Sequence, residues 1–94
     1  MRSEIVVSIL CITYNQAEYI ASAMEGLLHQ ETDFNYEIVV HDDASTDGTA
    51  DIIKRYEKKC PKKIRTFFEA ENQYSKGNNI LQIVYPVLRG KYIA

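Results

Sequence analysis

Two adjacent carboxylates, Asp42 and Asp43, stand where an apolar run gives way to a polar hinge in the stretch HDDASTDGTADII, residues 41–53. Neighbouring like charges repel, so the pair needs a cation, a set of hydrogen-bond donors or water to offset that repulsion. Two readings are open. In the first, one aspartate caps a turn and the other is solvated, because aspartate at a strand end bonds readily to its own backbone. In the second, the pair accepts hydrogen bonds from the imide NH and ribose hydroxyls of a ligand, or one member approaches a metal ion. Ser45, Thr46 and Asp47 read as caps for a following helix. Upstream, Thr13, Tyr14 and Asn15 end another apolar run, and the turn TYNQAEY contains no glycine. It therefore lacks the GxGxxG dinucleotide fingerprint and the GxxxxGK[ST] phosphate cradle, which argues against NAD enzymes and P-loop ATPases. Thr13 and Tyr14 suit a base or ribose better than a pyrophosphate, whose charge would fall to a metal ion or to Lys76.

Other reactive side chains read as structural. His41 adjoins Asp42, but neighbours on a strand point to opposite faces, so His41 is expected to be an ordinary strand-end residue. Cys11 and Cys60 are far apart and lack CxxC spacing, and with His29 and His41 isolated there is no zinc constellation. Both thiols are expected to be reduced. Tyr19, Tyr56 and Tyr85 fall on helical faces and are expected to pack. RYEKKCPKK, residues 55–63, reads as a solvated helix end with cations placed well for the helix dipole.

The elements that must position these residues follow from periodicity. Residues 5–14 form a nearly continuous β-branched and aliphatic run, as in a strand buried on both faces. Tyr19, Ile20, Ala23, Met24, Leu27 and Leu28 then make one apolar helical stripe, with Asn15 and Glu18 as a capping signature. A polar link, Glu31 to Asn35, leads to a second strand at YEIVV, residues 36–40. Ala50, Ile53, Tyr56 and Cys60 mark the next helix, closed by Pro61. Ile64 to Phe68 is a third strand, and a third helix is expected from about Lys76 to Leu88, kinked at Pro86 and ended by Gly90. Lys91 to Ala94 opens a fourth strand. This β-α-β-α-β-α-β order predicts an α/β fold, a Rossmann-like parallel sheet with helices on both faces and right-handed crossovers. Ligands bind such sheets outside the strand carboxyl ends, where Tyr14-Asn15, Asp42-Asp43 and Glu69 to Asn72 all gather.

Composition sets the remaining bounds. Ninety-four residues make at most one domain, and 46% hydrophobic with 26% charged residues is ordinary for a globular protein. A formal net charge of -2 gives no reason to expect nucleic acid. The longest apolar stretch, Ile5 to Ile12, is far shorter than the roughly 18 residues a membrane span needs. No signal-like segment follows the first residues, and a cytoplasmic location is expected.

Taken together, VSILCITYNQAEYI, YEIVVHDDASTDGTADII, a strand ending in EN, and LRGKYIA closely resemble the start of family 2 glycosyltransferases with the GT-A fold, from Val7 to Ala94. The resemblance implies a nucleotide-sugar-binding portion, residues 1–94, truncated at the fourth strand. It implies that Thr13, Tyr14 and Asn15 line a base pocket and that Asp42 or Asp43 recognises base or ribose. It also implies that Lys76, in the loop NQYSKGNN, faces the diphosphate, although Tyr74 stands where a glycine is frequent. The donor would be a nucleotide sugar, UDP-linked, and the acceptor a saccharide or other hydroxyl, with inversion at the anomeric carbon as in cell-surface polysaccharide synthesis. Mg²⁺ or Mn²⁺ is expected for the full-length enzyme, bound by no residue of this chain, and the chain alone is expected to be inactive. The full-length enzyme could be membrane-associated.

A reading from another class is a non-catalytic α/β nucleotide-binding or regulatory module, such as a phosphoacceptor-like domain built on paired aspartates. Against it, the tip of the first strand offers only Thr, Tyr and Asn to a metal. Unpaired edges of an unfinished sheet predict self-association of the isolated chain.

Overall fold

The computed structural model describes residues 5–29, 34–90 and 92–93. The expected link from Glu31 to Asn35 falls largely outside these residues, as do Lys91 and Ala94. The order of elements is β1 (Val7–Thr13), α1 (Ala17–Leu28), β2 (Tyr36–Asp42), α2 (Thr49–Lys59), β3 (Ile64–Phe68), α3 (Ile80–Val84), a 3-10 turn (Tyr85–Val87) and β4 (Tyr92–Ile93). All strand pairs are parallel, in the order β3-β2-β1-β4.

β2 lies at the centre and is buried along its whole length, which is why its sequence is apolar on both faces. Ile38 and Val40 point to one face, where they pack with Ile20 and Met24 of α1, Ile53 of α2, and Ile64. Two successive right-handed crossovers in the same direction, β1 to β2 and β2 to β3, place α1 and α2 together on that face. The connection from β3 to β4 travels back past β1, so the same handedness sends it across the other face. There the Val87 carbonyl accepts a hydrogen bond from Arg65, and Arg89 reaches Glu37. Strand order thus reverses between β1 and β4, and a crevice opens at the carboxyl end of β1.

Several sequence expectations need correction. β2 continues two residues beyond YEIVV, through His41 and Asp42, because each still pairs with β1 and β3. The third helix is one short α-helical segment plus a 3-10 turn, not a helix from Lys76. Gly77 at φ +82 and the tight turn over Gln73 to Asn78 delay its start, and Pro86 removes a backbone donor near its end. Tyr19 and Tyr85 are exposed, Tyr19 by 68%, and do not pack as core. Tyr56 is partly buried as expected; its hydroxyl donates to Glu25 Oε2 at 2.7 Å, a contact that raises its pKa. Cys11 and Cys60 are free thiols, and burial pushes the Cys11 thiol up.

The second face holds a buried ionic cluster that the apolar pattern of β2 conceals. Glu37 is fully buried, with Oε2 accepting from Ser8 Oγ at 2.5 Å and from the Arg89 amide at 2.8 Å. Its Oε1 accepts from Arg65 Nε at 3.0 Å and Arg89 Nε at 3.1 Å. Burial works to raise the Glu37 carboxyl pKa, but bonds from Ser8, the Arg89 amide and the two guanidinium groups outweigh it, and the net displacement is downward. The cluster joins β1, β2, β3 and the segment that enters β4. Gly90 completes it, its amide donating to Ser8 Oγ at 2.8 Å. A Cβ there would stand 2.5 Å from the Ser8 nitrogen, so only glycine allows this approach.

Candidate functional site

The two loops that follow β1 and β2 are laced together by side chains on backbone donors. The Asn15 amide donates to Ser45 Oγ at 2.8 Å, the Gln16 amide to Thr49 Oγ1 at 2.8 Å, and the Ala17 amide to Asp47 Oδ2 at 3.1 Å. In return, Asn15 Oδ1 accepts from the Thr46 amide at 2.7 Å. The free donors at the start of α1 are therefore satisfied from the neighbouring loop. This corrects two expectations. Asn15 and Glu18 form no capping box; Gln16 occupies the cap position, and Asn15 adopts φ +50 to reach across to Thr46. Ser45 serves the loop before α1 and Asp42 rather than α2, whose N-cap is Gly48; Asp47 serves both helices, its Oδ1 accepting from the Thr49 amide at 3.1 Å.

The aspartate pair divides its work. Strand alternation puts Asp42 on the face of Ile38 and Val40 beside Thr13, its register partner on β1, and its carboxylate accepts from Thr13 Oγ1 at 2.7 Å, Ser45 Oγ at 2.6 Å and the Ser45 amide at 3.0 Å. Asp43 has left the strand. Its amide donates to the Thr13 carbonyl at 2.9 Å, and its carboxylate accepts from the amides of Gln73 at 2.6 Å and Tyr74 at 3.0 Å. Asn72 Nδ2 donates to the Asp43 carbonyl at 3.0 Å. Both side chains are buried, each supplied with neutral donors, and this is how the fold tolerates adjacent carboxylates without a cation. The turn between them has a cost: Ala44 sits at φ +64, a left-handed conformation unfavourable for any residue with a Cβ.

The crevice at the switch point is a cleft of about 480 Å³. Its walls are Ile12, Thr13, Tyr14 and Gln16 from the end of β1, Asp43 from the end of β2, Asn72, Tyr74 and Ser75 from the loop after β3, and Ile80 from α3. Tyr14 and Tyr74 are aromatic and exposed, by 49% and 78%, at its mouth. Thr13 and Asp43 are buried at its floor. Such a lining offers flat apolar surface for a ring, with hydroxyl, amide and carboxylate groups to fix its orientation.

Of the residues singled out from sequence, Thr13, Tyr14 and Asp43 are brought together in this cleft. Asn15 and Asp42 stand behind it and hold its loops. Lys76 is exposed on the loop after β3, ion-paired with Glu71, and is not among the lining residues. Sequence reasoning missed Ile12, Gln16, Ser75 and Ile80. Alternation along β1 could have set Ile12 on the face away from α1 and α2, whereas nothing local marks Ile80 as a cleft residue. His41 was read as ordinary, yet it is fully buried, with Nε2 3.0 Å from Glu69 Oε2. It does turn away from Asp42, as alternation requires. Among the described residues no cluster of three His, Cys, Asp or Glu side chains could hold a metal ion. All four oxygens of Asp42 and Asp43 already accept at least one hydrogen bond. A larger concavity, about 660 Å³, lies at the opposite end of the sheet beside Tyr36, Cys60 and Lys63, away from the strand carboxyl ends.

Comparison with known proteins identifies the family. The chain matches Glycosyl transferase family 2 over residues 8–94. It belongs to that family. An uncharacterized protein of Mycobacterium tuberculosis is 39% identical over 87 residues, 93% of this chain and 25% of its own length. An uncharacterized glycosyltransferase of Nostoc sp. is 38% identical over 64 residues, 68% of this chain and 20% of that protein. Among solved structures, a mannosyltransferase of Pyrobaculum calidifontis in complex with GDP-Man and Mn²⁺ superposes with a TM-score of 0.62 at 26% identity, over 81% of this chain and 25% of that one. The chain spans about a quarter of the length of the first of these relatives and of this structure. The parallel sheet with reversed order is thus the N-terminal Rossmann-like part of a GT-A fold.

Proposed function

We propose that these residues form the donor-nucleotide pocket of a glycosyltransferase that transfers a sugar from a nucleoside diphosphate sugar to a hydroxyl acceptor with inversion. The observation that carries this reading is the cleft at the β1 and β2 carboxyl ends, with two tyrosines at its mouth and a buried aspartate at its floor. Tyr14 and Tyr74 supply stacking surface for the base. Each Asp43 oxygen accepts one backbone amide, which leaves further lone-pair capacity for an imide NH or a ribose hydroxyl. Asn72 and Ser75 add polar groups to the same wall. Asp42 and Asn15 act through the loops they fix, and Lys76 would have to leave Glu71 to meet a diphosphate. The solved mannosyltransferase binds a nucleotide sugar with Mn²⁺, which supports the donor class. No step of transfer is assigned to residues of this chain, and the metal is assigned to none of them. UDP is the first donor nucleotide to test, and a cytoplasmic site of action goes with a nucleotide-sugar donor.

The test is an amide NMR titration with UDP, with GDP and ADP in parallel, with and without Mn²⁺. Saturable shifts at Thr13, Tyr14, Asp43 and Tyr74, largely independent of metal, are expected. A folded sample with no shifts at those amides for any nucleotide overturns the reading.

A further inference from the structure

Charge is distributed very unevenly along this chain. Residues 54–63 hold six cations and one carboxylate, a local charge of +5, leaving five cations and twelve carboxylates, a charge of -7, on the remainder. The fold turns that segment into a surface. On α2, Ile52, Ile53 and Tyr56 face inward, while Lys54, Arg55, Lys58 and Lys59 fall at i, i+1, i+4 and i+5 along the opposite, exposed side. The chain then turns at Pro61 and adds Lys62 and Lys63 at the end of the helix.

The helix dipole accounts for Lys58 and Lys59 in the last turn but not for Lys54 and Arg55 at mid-helix. Nor are these cations neutralised locally. Among the described residues none is ion-paired with a carboxylate; Lys54, Lys59 and Lys63 lie instead over the rings of Phe68, Tyr56 and Tyr36. Glu57, the carboxylate within the segment, is turned aside to accept from Thr66 Oγ1 at 2.7 Å.

We infer that the outer face of α2, with the turn at Lys62 and Lys63, docks this protein on a membrane surface rich in anionic lipid headgroups. Five of the six cations are lysines, compact charges on flexible stems that suit a diffuse negative surface better than the bidentate grip on a single phosphate that arginine provides. A stripe along an exposed helix presents them together to a plane, and four to eight such cations on an amphipathic helix are enough for electrostatic binding. No helix among the described residues is long and apolar enough to cross a membrane. The donor cleft is lined by Ile12 and Ile80 on the other face of the sheet and opens at the opposite end, so docking leaves it uncovered. This inference does not depend on which donor occupies the cleft.

The experiment is co-sedimentation of the chain with vesicles of phosphatidylcholine alone and of phosphatidylcholine with 30% phosphatidylglycerol, at low and high salt. The variant Arg55→Gln, Lys58→Gln, Lys62→Gln removes three cations that make no ring contact, and its fold is checked by amide NMR. Expected are binding to the anionic vesicles only, loss of binding as salt rises, and a partition coefficient about a hundredfold lower for the triple variant, at about fivefold per cation. Absence of binding to anionic vesicles, equal binding to neutral vesicles, or undiminished binding of the folded triple variant would each overturn the proposal. Displacement by millimolar inorganic phosphate would overturn it in favour of a discrete anion site. Tighter binding to a DNA duplex than to anionic vesicles in the same buffer would overturn it in favour of nucleic acid.

Discussion

Replacing Glu37 by glutamine keeps the side-chain shape and removes the charge on which two guanidinium groups, a hydroxyl and a backbone amide converge. Breaking a buried ion pair from one side costs about 3–5 kcal/mol when the remaining charge stays dry. Here Arg65 and Arg89 are 27% and 52% exposed and can turn to water, which lowers the figure. The Ser8 hydroxyl and the Arg89 amide cannot move as freely, and a buried donor that faces a new NH₂ group costs about 1–3 kcal/mol. The combined expectation is a loss of about 3 kcal/mol, or a fall in Tm of about 12 °C or more for a domain of this size. The pH dependence gives an independent check. The folded Glu37 pKa lies below its unfolded value, so its contribution is fully present above the unfolded pKa of about 4.3 and is lost as pH falls through the folded pKa. Thermal melts of parent and Glu37→Gln from pH 7 to pH 2 should therefore converge in acid. A variant within about 2 °C of the parent at pH 7, or a constant gap down to pH 2, would refute the account of the cluster.

Four further outcomes are expected. Gly90→Ala forces a Cβ against the backbone of Ser8 and Val7, and should cost about 1–3 kcal/mol with faster amide exchange along β1; an unchanged melt would count against the close approach. Ala44→Gly relieves a left-handed alanine and should raise stability by about 1 kcal/mol in a denaturant titration. Asp43→Ala strips the acceptor from the Gln73 and Tyr74 amides; their exchange protection should collapse and nucleotide affinity fall at least tenfold by calorimetry, while protection in β3 persists. Asp47→Ala should lower Tm and loosen the start of α1. The Thr49 hydroxyl, ahead of the Ala17 and Thr49 amides, holds the Asp47 carboxyl below its usual range, so that effect should also fade below about pH 4.

What the sequence by itself determined is the alternation of elements. β-branched runs at residues 5–14 and 36–40, a 3.6-residue stripe through Ile20 and Met24, and a proline after Cys60 are local signals, and each resolved into the kind of element it predicted, with β1 at Val7–Thr13 and β2 extended to Asp42. That the strand tips converge follows from handedness once the sheet is parallel, so Thr13, Tyr14 and Asp43 could be placed in one crevice without coordinates. Tertiary structure alone decided how the adjacent aspartates share their work. Alternation says only that they diverge; Ser45, three residues on, is a local turn donor to Asp42, but Thr13 for Asp42 and Gln73 and Tyr74 for Asp43 come from segments 29, 30 and 31 residues away. The same holds for the caps of α1, which look local in the order Asn15 to Glu18 and are supplied by Asp47 and Thr49 instead. Glu37 is the sharpest case. A lone carboxylate in YEIVV carries no periodic signal, and its partners lie 28, 29 and 52 residues distant. Periodicity reports which face a residue occupies; a buried charge is explained only by the side chains that the folded topology brings against it.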